Sequence, residues 1–159
     1  QHYQTNESIP AELLKKISRA SKFNQGFATT EYLAASYLDL AWHTLEEKVE
    51  DANVFEKEIL QNLGLIPEIA SRYRSTYFAH IFAGGYSSGY YSYLWTEVLD
   101  ADAFELFKEK GLFDAETANN LKTLIYSSGN TRDLMDQYRK FRGSDPKIEP
   151  LLERRGLVD

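Results

Sequence analysis

The sequence contains no cysteine and only three histidines among its 159 residues. Without cysteine the chain can form no disulfide and hold no metal through thiolates. The histidines, His2, His43 and His80, are too few for a self-contained polyhistidine metal site. Basic residues are outnumbered by acidic ones, 18 against 24, which gives a net charge of −6. This balance argues against a nucleic-acid-binding protein, because such proteins need a basic surface to displace counterions.

Long hydrophobic runs are also missing. No apolar stretch approaches the roughly 20 residues that span a bilayer, so we expect no membrane partner. The opening residues, QHYQTNESIP, have neither the basic start nor the apolar core of a secretory signal. Because the chain begins without Met, this observation says little about location. A cytoplasmic or periplasmic protein fits, and we favour the cytoplasm.

Helical spacing of apolar residues recurs along the chain, and no period-2 strand of useful length is present. We therefore predict an all-α, multi-helical fold, with residues 1–159 as a single helical domain or fragment. Pro67 breaks an irregular stretch between residues 65 and 80. The predicted helical segments are 11–21, 23–49, 53–64, 87–110, 113–129, 130–143 and 144–156.

Polar residues and glycines mark the ends of these predicted helices. The expected helix starts are Asn53, Asp114, Asn130 or Thr131, and Asp145 before Pro146. Gly64, Gly129 and Gly143 are placed where a helix ends. In the long second helix, the apolar pattern predicts a mostly buried face of Phe27, Leu33, Tyr37, Leu38, Ala41, Trp42 and Leu45.

Aromatic residues are plentiful, at 14% with eleven tyrosines, and they crowd into HIFAGGYSSGYYSYLW, the tyrosine segment (residues 80–95). If a helix begins at Ser87, one face is a core-facing stripe of Tyr91, Leu94, Trp95 and Val98. A second face carries Tyr86, Tyr90, Tyr93 and Glu97, hydroxyls beside a carboxylate, which suits a wet cleft. Ahead of it, Gly84 and Gly85 allow a positive φ or close approach to a ligand.

Tyrosine hydroxyls and an imidazole are hydrogen-bond donors with two uses in this pattern. Donors that converge on one point stabilise an oxyanion in acyl transfer, or fix a substrate carboxylate or backbone. Alternatively, the tyrosines form the rim of a packed core, and His80 makes a structural hydrogen bond. The spacing alone leaves both interpretations open.

A second candidate site is a metal centre on the long second helix. Asp39, His43 and Glu46 lie at i, i+4 and i+7 and could converge on one face. Nitrogen and oxygen ligands of this kind bind zinc. His43 follows Trp42 in an apolar run, however, and helical acid–histidine triplets are common, so we expect no metal site here.

The segment YFAHIFAGGYSSGYYSYLWTEVLDADAF resembles the C-terminal active-site region of the thimet oligopeptidase and peptidyl-dipeptidase family of zinc metallopeptidases. HIFAGGY, with one residue more than HLAGGY, is similar to the peptidyl-dipeptidase branch. The resemblance covers nearly the whole chain, including RASKFNQGFATTEYLAASYLDLAWHTLE and GNTRDLMDQYRKFRGSDPKIEPLLERRGL. It implies an all-α segment of a helical peptidase domain that acts on oligopeptides.

The resemblance implies a role for each residue of the motif. Tyr93 matches the tyrosine that donates to the tetrahedral oxyanion, and His80 matches the histidine that hydrogen-bonds the substrate backbone. Tyr90 matches a substrate-binding tyrosine. Tyr86 matches the tyrosine of a mobile glycine-rich loop, which here contains Gly84 and Gly85.

The family holds zinc through HExxH and a later Glu, and no HExxH occurs in these 159 residues. We therefore expect the chain to lie downstream of the zinc-binding region, and to neither bind zinc nor cleave peptides alone. Zinc is expected in the full-length parent, with release of C-terminal dipeptides. The alternatives are an oligopeptidase that cleaves internally and a non-catalytic helical module that binds peptides or proteins. Apolar surface exposed by the missing part predicts self-association.

Overall fold

A computed structural model describes residues 1–158, which fold into two compact units. The first unit is Gln1–Tyr91 with Arg155–Leu157, and the second is Ser92–Arg154 with Val158. The described residues form helices and turns and no β-strand, so the all-α prediction is confirmed. Within residues 1–158, no helix combines the length and the apolar character needed to cross a bilayer.

The helices follow one another with short connections. The first unit contains α1 (Ala11–Ser21), α2 (Gln25–His43), α3 (Ala52–Asn62), a 3₁₀ turn (Ser75–Tyr77) and α4 (Ala79–Phe82). Next along the chain come α5 (Ser92–Lys110), α6 (Ala115–Asn120), a π-helical segment (Leu121–Tyr126), α7 (Leu134–Arg142) and α8 (Glu149–Arg155). The predicted order of helices is confirmed, and three of the four predicted starts are corrected.

Aspartates rather than the expected asparagine or threonine cap two helices. Asp51 caps α3, since its carboxylate accepts from the backbone N–H of Asn53 at 2.8 Å. Asp133 caps α7 in the same way, with Asp136 N at 2.8 Å, in place of Asn130 or Thr131. Hydrogen bonds from Asn53 and Val54 to the charged form lower the pKa of Asp51. In each case the carboxylate lies one or more residues away from the predicted start.

The other helix ends agree better with the sequence. Asp114 caps α6 as predicted, and its carboxylate accepts from Thr117 N at 2.7 Å, which lowers the pKa of Asp114. Gly64, Gly129 and Gly143 all take positive φ, at 71°, 50° and 84°. The start predicted at Asp145 is wrong, because α8 begins at Glu149 and Asp145 accepts from Arg139 Nε at 2.6 Å.

The core of the first unit is aromatic. Ala35, Phe78, Ile81 and Tyr90 are buried together, and Tyr32, Trp42 and Tyr73 pack against them. This cluster brings α2 against the stretch that carries α4, so the residues before and after α4 become part of one packed structure.

The buried face predicted for α2 is only partly confirmed. Helix α2 ends at His43, and its predicted buried face is largely exposed at Phe27, Leu33 and Tyr37. Leu38 is buried as predicted, and the other buried positions of α2 are Ala34, Ala35, Ser36 and Asp39. Helix α1 buries no residue, and its apolar Leu13, Leu14 and Ile17 are each about half exposed.

The second unit has a small apolar core and a buried charged cluster. Val98 and Ala101 of α5 pack with Leu151 of α8, and Leu94 lies against them. Beside this core, the fully buried carboxylate of Asp102 accepts from the Tyr138 hydroxyl at 2.7 Å. Its other oxygen accepts from Arg142 Nε at 3.3 Å. Burial and the bond to Asp102 raise the pKa of the Tyr138 phenol.

Alkaline pH is expected to destabilise the second unit through Tyr138. An unfolded tyrosine ionises near pH 10, whereas the folded phenol keeps its proton to higher pH. The folded state then binds more protons, so the free energy of unfolding falls as pH rises above about 10. Tyr138→Phe should remove this slope and cost about 1–3 kcal/mol at neutral pH. Urea unfolding between pH 7 and 11 measures the free energy of unfolding and its dependence on pH. Tyr126→Phe, at an exposed position, is the control. An equal pH dependence in the two variants would contradict the assignment.

Candidate functional site

The residues singled out by the sequence gather partly around His80. The His80 ring lies half-buried, with ring centroids of Tyr73, Tyr90 and Tyr86 at 5.0, 5.8 and 6.2 Å. Phe78 packs edge-on against Tyr90 at 5.0 Å. The structure therefore brings three of the predicted site residues, His80, Tyr86 and Tyr90, into one aromatic cluster.

A tight glycine turn folds the chain back over His80. The backbone N–H of Tyr86 donates to the carbonyl oxygen of His80 at 3.1 Å. Gly85 has φ +81°, a conformation that side chains other than glycine rarely adopt. A Cβ on Gly84 would lie 2.9 Å from both Cα and O of His80. Both glycines are thus required by the backbone geometry of the turn that places Tyr86.

Gly84→Ala is expected to disturb this turn strongly. The added methyl group would meet backbone atoms of His80 that cannot move aside, at an overpacking cost of about 1–3 kcal/mol. Gly89→Ala is the matched control, because its Cβ would come no closer than 3.4 Å to the Tyr86 carbonyl. Denaturant unfolding of the two variants gives the comparison. Equal stability would show that the turn adapts to a side chain at residue 84.

The chain leaves the glycine turn in a conformation that is not helical, which corrects the predicted helix start at Ser87. Ser88 has φ +53°, in the left-handed region, and α5 begins only at Ser92. The buried carboxylate of Asp39 accepts from the backbone N–H of Ser88 at 3.0 Å and of Tyr90 at 2.9 Å. These tertiary hydrogen bonds replace the helical ones expected from the local sequence.

The two predicted helix faces of the tyrosine segment are consequently wrong. Tyr86 and Tyr90 precede α5 and share no helix face with Tyr93, and Tyr90 is only 3% exposed. Of the expected core stripe, Val98 is buried, whereas Tyr91 and Trp95 are exposed. Tyr90 therefore belongs to the aromatic core, as the alternative interpretation allowed, and its role in substrate binding stays a prediction.

Tyr93 lies in the second unit, in the first turn of α5. Its side chain is 37% exposed, and its carbonyl oxygen accepts from the Thr96 hydroxyl at 3.0 Å. The cluster around His80 belongs to the first unit. Its assignment as an oxyanion donor depends on the sequence resemblance.

The metal centre considered on α2 does not form. His43 Nδ1 lies 2.8 Å from Asp39 Oδ1 and 2.9 Å from the Asp39 carbonyl oxygen, so this nitrogen faces two acceptors. Glu46 is exposed and follows the end of α2, which removes it from the shared face. Across residues 1–158, no group of three or more histidine, aspartate or glutamate side chains is arranged to hold a metal ion.

A second buried carboxylate holds the chain ahead of His80. Glu56 of α3 accepts from the backbone N–H of Ser75 at 2.6 Å and from its hydroxyl at 2.9 Å. Arg74 Nε lies 2.8 Å from the other oxygen, and Trp42 Nε1 donates to the Ser75 hydroxyl at 2.9 Å. Glu56 was not predicted from the sequence, and Asp39 was considered only as a candidate metal ligand and set aside. A carboxylate at an inward helical position was the one available signal.

The comparison with known proteins defines the class to which this fold and motif belong. The sequence pattern of peptidase family M3 matches residues 1–157. The chain belongs to peptidase family M3, which confirms the resemblance drawn from the tyrosine segment.

Particular relatives align along almost the whole chain. It is 46% identical to dipeptidyl carboxypeptidase of Escherichia coli K12 over 160 residues, and 36% identical to oligopeptidase A of the same strain over 158 residues. Saccharolysin of Saccharomyces cerevisiae is 27% identical over 161 residues. Each alignment covers 98% of this chain but only 22–23% of the relative, so the chain spans less than a quarter of those proteins.

Proposed function

We propose that this chain supplies the substrate-binding and oxyanion-stabilising part of a metallopeptidase that hydrolyses oligopeptides. Membership of peptidase family M3 is the observation that carries the proposal. The arrangement of His80 beneath the Tyr86 turn supports it, because an imidazole and a phenol at the end of a closed glycine turn suit contact with a peptide. Oligopeptides are the proposed partners.

The proposed chemistry of the chain's own residues is hydrogen-bond donation. His80 is assigned to the backbone of the bound peptide, and Tyr86, Tyr90 and the backbone at Gly84 and Gly85 to its positioning. Tyr93 is assigned to the oxygen that becomes negatively charged in the tetrahedral intermediate. A donor of this type accelerates the reaction because its hydrogen bond strengthens as the charge develops.

The residues present do not fit a zinc site. The sequence contains no HExxH, and the described residues contain no cluster of metal-ligating side chains. We therefore assign zinc and its ligands to other parts of the full-length parent. The same assignment means that this chain by itself is proposed to be inactive.

Release of C-terminal dipeptides is the form of hydrolysis that we favour. The relative named dipeptidyl carboxypeptidase is 46% identical, against 36% for the relative named oligopeptidase A. HIFAGGY in this chain supports the same branch. Incubation of the parent with a peptide blocked at its C-terminus separates the two modes, because a blocked terminus stops dipeptide release and leaves internal cleavage unaffected.

Calorimetric titration tests the proposal as a whole. The purified chain and the full-length parent are each titrated with Zn²⁺ to measure zinc binding. Each is then incubated with a short oligopeptide to measure hydrolysis. We expect the parent to bind zinc stoichiometrically and cleave the peptide, and the chain to do neither. Cleavage by the metal-stripped chain would contradict the division of roles. Peptide binding by a parent that neither binds zinc nor hydrolyses peptides would instead establish a non-catalytic helical module.

A further inference from the structure

Asp39 is a buried charge that the proposed chemistry does not use. It lies in α2 four residues before the end of the helix, fully buried, beside the aromatic core that includes Ala35 and Tyr90. Taking a carboxylate out of water is costly unless hydrogen bonds satisfy its oxygens. An apolar residue would suit a packed helix face better, so the carboxylate needs another explanation.

The donors to Asp39 supply that explanation. Its Oδ1 accepts from Ser88 N and its Oδ2 from Tyr90 N, at 3.0 and 2.9 Å. These amides are 49 and 51 residues away in sequence and belong to the turn that follows His80. His43 Nδ1, one helical turn later in α2, lies 2.8 Å from Oδ1. The carboxylate therefore joins α2 directly to the backbone of residues 80–90, which we term the His80 loop.

Further contacts hold the backbone at Ser88 and Tyr90. Ser88 holds a left-handed φ of +53° while its N–H points to Asp39. The carbonyl oxygen of Tyr90 accepts from the Tyr32 hydroxyl, also on α2. Both backbone polar groups of Tyr90 thus bond to side chains of one helix, and its ring stacks on Tyr32 at 5.3 Å.

Glu56 provides the corresponding contact ahead of the loop. Its bonds to the N–H and hydroxyl of Ser75 hold the chain five residues before His80. Between Ser75 and Ser88 the hydrogen bonds include local ones: Tyr86 N donates to His80 O at 3.1 Å, and the Ser87 hydroxyl donates to Ile81 O at 2.7 Å. Glu56 and Asp39 therefore hold the chain ahead of the His80 loop and near its end, while Ile81 packs between them in the aromatic core.

We propose that Asp39 is a positioning residue, whose charged carboxylate holds the His80 loop on α2 and so places His80 and Tyr86. The role of that placement in peptide binding rests on the proposed function. The anchoring itself does not, and it can be measured without any substrate.

Asp39→Asn in the 159-residue chain tests the anchoring. The variant keeps the shape of the side chain but replaces one acceptor oxygen by an NH₂ group, which faces a backbone N–H. We expect the Ser88 and Tyr90 amides to exchange hydrogen about tenfold faster or more, as followed by NMR, while amides of α7 in the second unit keep their rates. The His80 ring resonances should move toward values free of ring-current shifts from Tyr73, Tyr86 and Tyr90, a signature that global stability alone does not change.

This test has a matched control variant and a second measurement on the unaltered chain. Glu47→Gln removes an exposed carboxylate from the stretch just after α2 and should leave every one of these signals in place. In the unaltered chain, the Ser88 and Tyr90 amides should exchange about 100-fold more slowly than in an unstructured peptide. Unprotected amides in the unaltered chain would overturn the proposal even if Asp39→Asn fails to fold. Unchanged exchange and unchanged His80 resonances in Asp39→Asn would overturn it as well.

The same substitution in the full-length parent connects the anchoring to peptide hydrolysis. Misplacement of binding groups by about 1 Å can cost about 10²-fold, so Asp39→Asn should lower kcat/KM on that scale while the bound zinc stays stoichiometric. Faster exchange at Ser88 and Tyr90 with unchanged kcat/KM would overturn the positioning role. An inactive unaltered parent would instead contradict the proposed function, and the exchange measurement would still decide whether Asp39 anchors the loop.

Discussion

Tyr93→Phe in the full-length parent is expected to lower kcat about 10²–10³-fold and to leave KM nearly unchanged. The proposed hydrogen bond from the Tyr93 hydroxyl forms with an oxygen that carries charge only in the transition state. Its loss therefore raises the barrier by about 2.7–4 kcal/mol without weakening substrate binding. Initial rates over a range of peptide concentrations separate the two parameters.

Tyr91→Phe is the control for this experiment. Tyr91 is two residues earlier, is 54% exposed, and has no assigned role in the reaction. Both substitutions delete one phenol oxygen, so nonspecific effects should be equal. An unchanged kcat in Tyr93→Phe would remove Tyr93 from the mechanism, and a loss shared equally with Tyr91→Phe would attribute the effect to the fold.

Asp102→Ala is expected to produce the largest loss of stability among the substitutions considered. Asp102 is fully buried, and the Arg142 side chain is 12% exposed, 3.3 Å away through Nε. Removal of the carboxylate leaves the Tyr138 hydroxyl with the Leu99 carbonyl oxygen at 3.2 Å, and Arg142 with Glu109 at 3.1 Å, whose side chain is 54% exposed. Breaking a buried pair costs about 3–5 kcal/mol, and an exposed carboxylate compensates the remaining guanidinium only in part. Urea unfolding of the 159-residue chain at pH 7 measures the change.

Asp100→Ala is the matched comparison on the same helix. Asp100 pairs with Arg154 Nη1 at 2.7 Å, but the two side chains are 71% and 46% exposed. An exposed pair contributes about 0–1 kcal/mol, so this variant should unfold close to the unaltered chain. Similar losses in both variants would show that burial does not set the strength of the Asp102 cluster. Added salt should weaken only the exposed pair.

Local sequence signals predicted the helices but only part of their boundaries. Glycine needs no long-range partner to take a positive φ, so Gly64 and Gly143 ended helices where expected. Asp114 likewise caps through an amide three residues away. The start of α5 was misplaced because Asp39, about fifty residues away, takes the amides of Ser88 and Tyr90. No pattern within residues 87–91 contains that information.

In the candidate site, too, the sequence predicted the local features but not those that depend on distant segments. The motif predicted the positive φ or close approach at Gly84 and Gly85, since this geometry depends on one short closed turn. The sequence could not show that Tyr90 is buried, because its burial comes from Tyr32 and Phe78 on other segments. Periodicity assigned it to a solvent-facing stripe only on the assumption of a continuous helix. The proposed roles of His80, Gly84, Gly85, Tyr86, Tyr90 and Tyr93 in catalysis and binding stay predictions.

Because Trp42 donates a hydrogen bond to Ser75, its fluorescence can report on the structure of the first unit. The chain has two tryptophans, and Trp95 belongs to the second unit. The Trp42 ring centroid lies 4.4 Å from that of Phe55 of α3, in a tilted arrangement, and 5.7 Å from that of Phe82 of α4. With Trp95 replaced by Phe, the fluorescence of the remaining indole comes from a single site within reach of both α3 and α4. Its emission wavelength then reports, in real time and without a label, whether the chain ahead of His80 is in place.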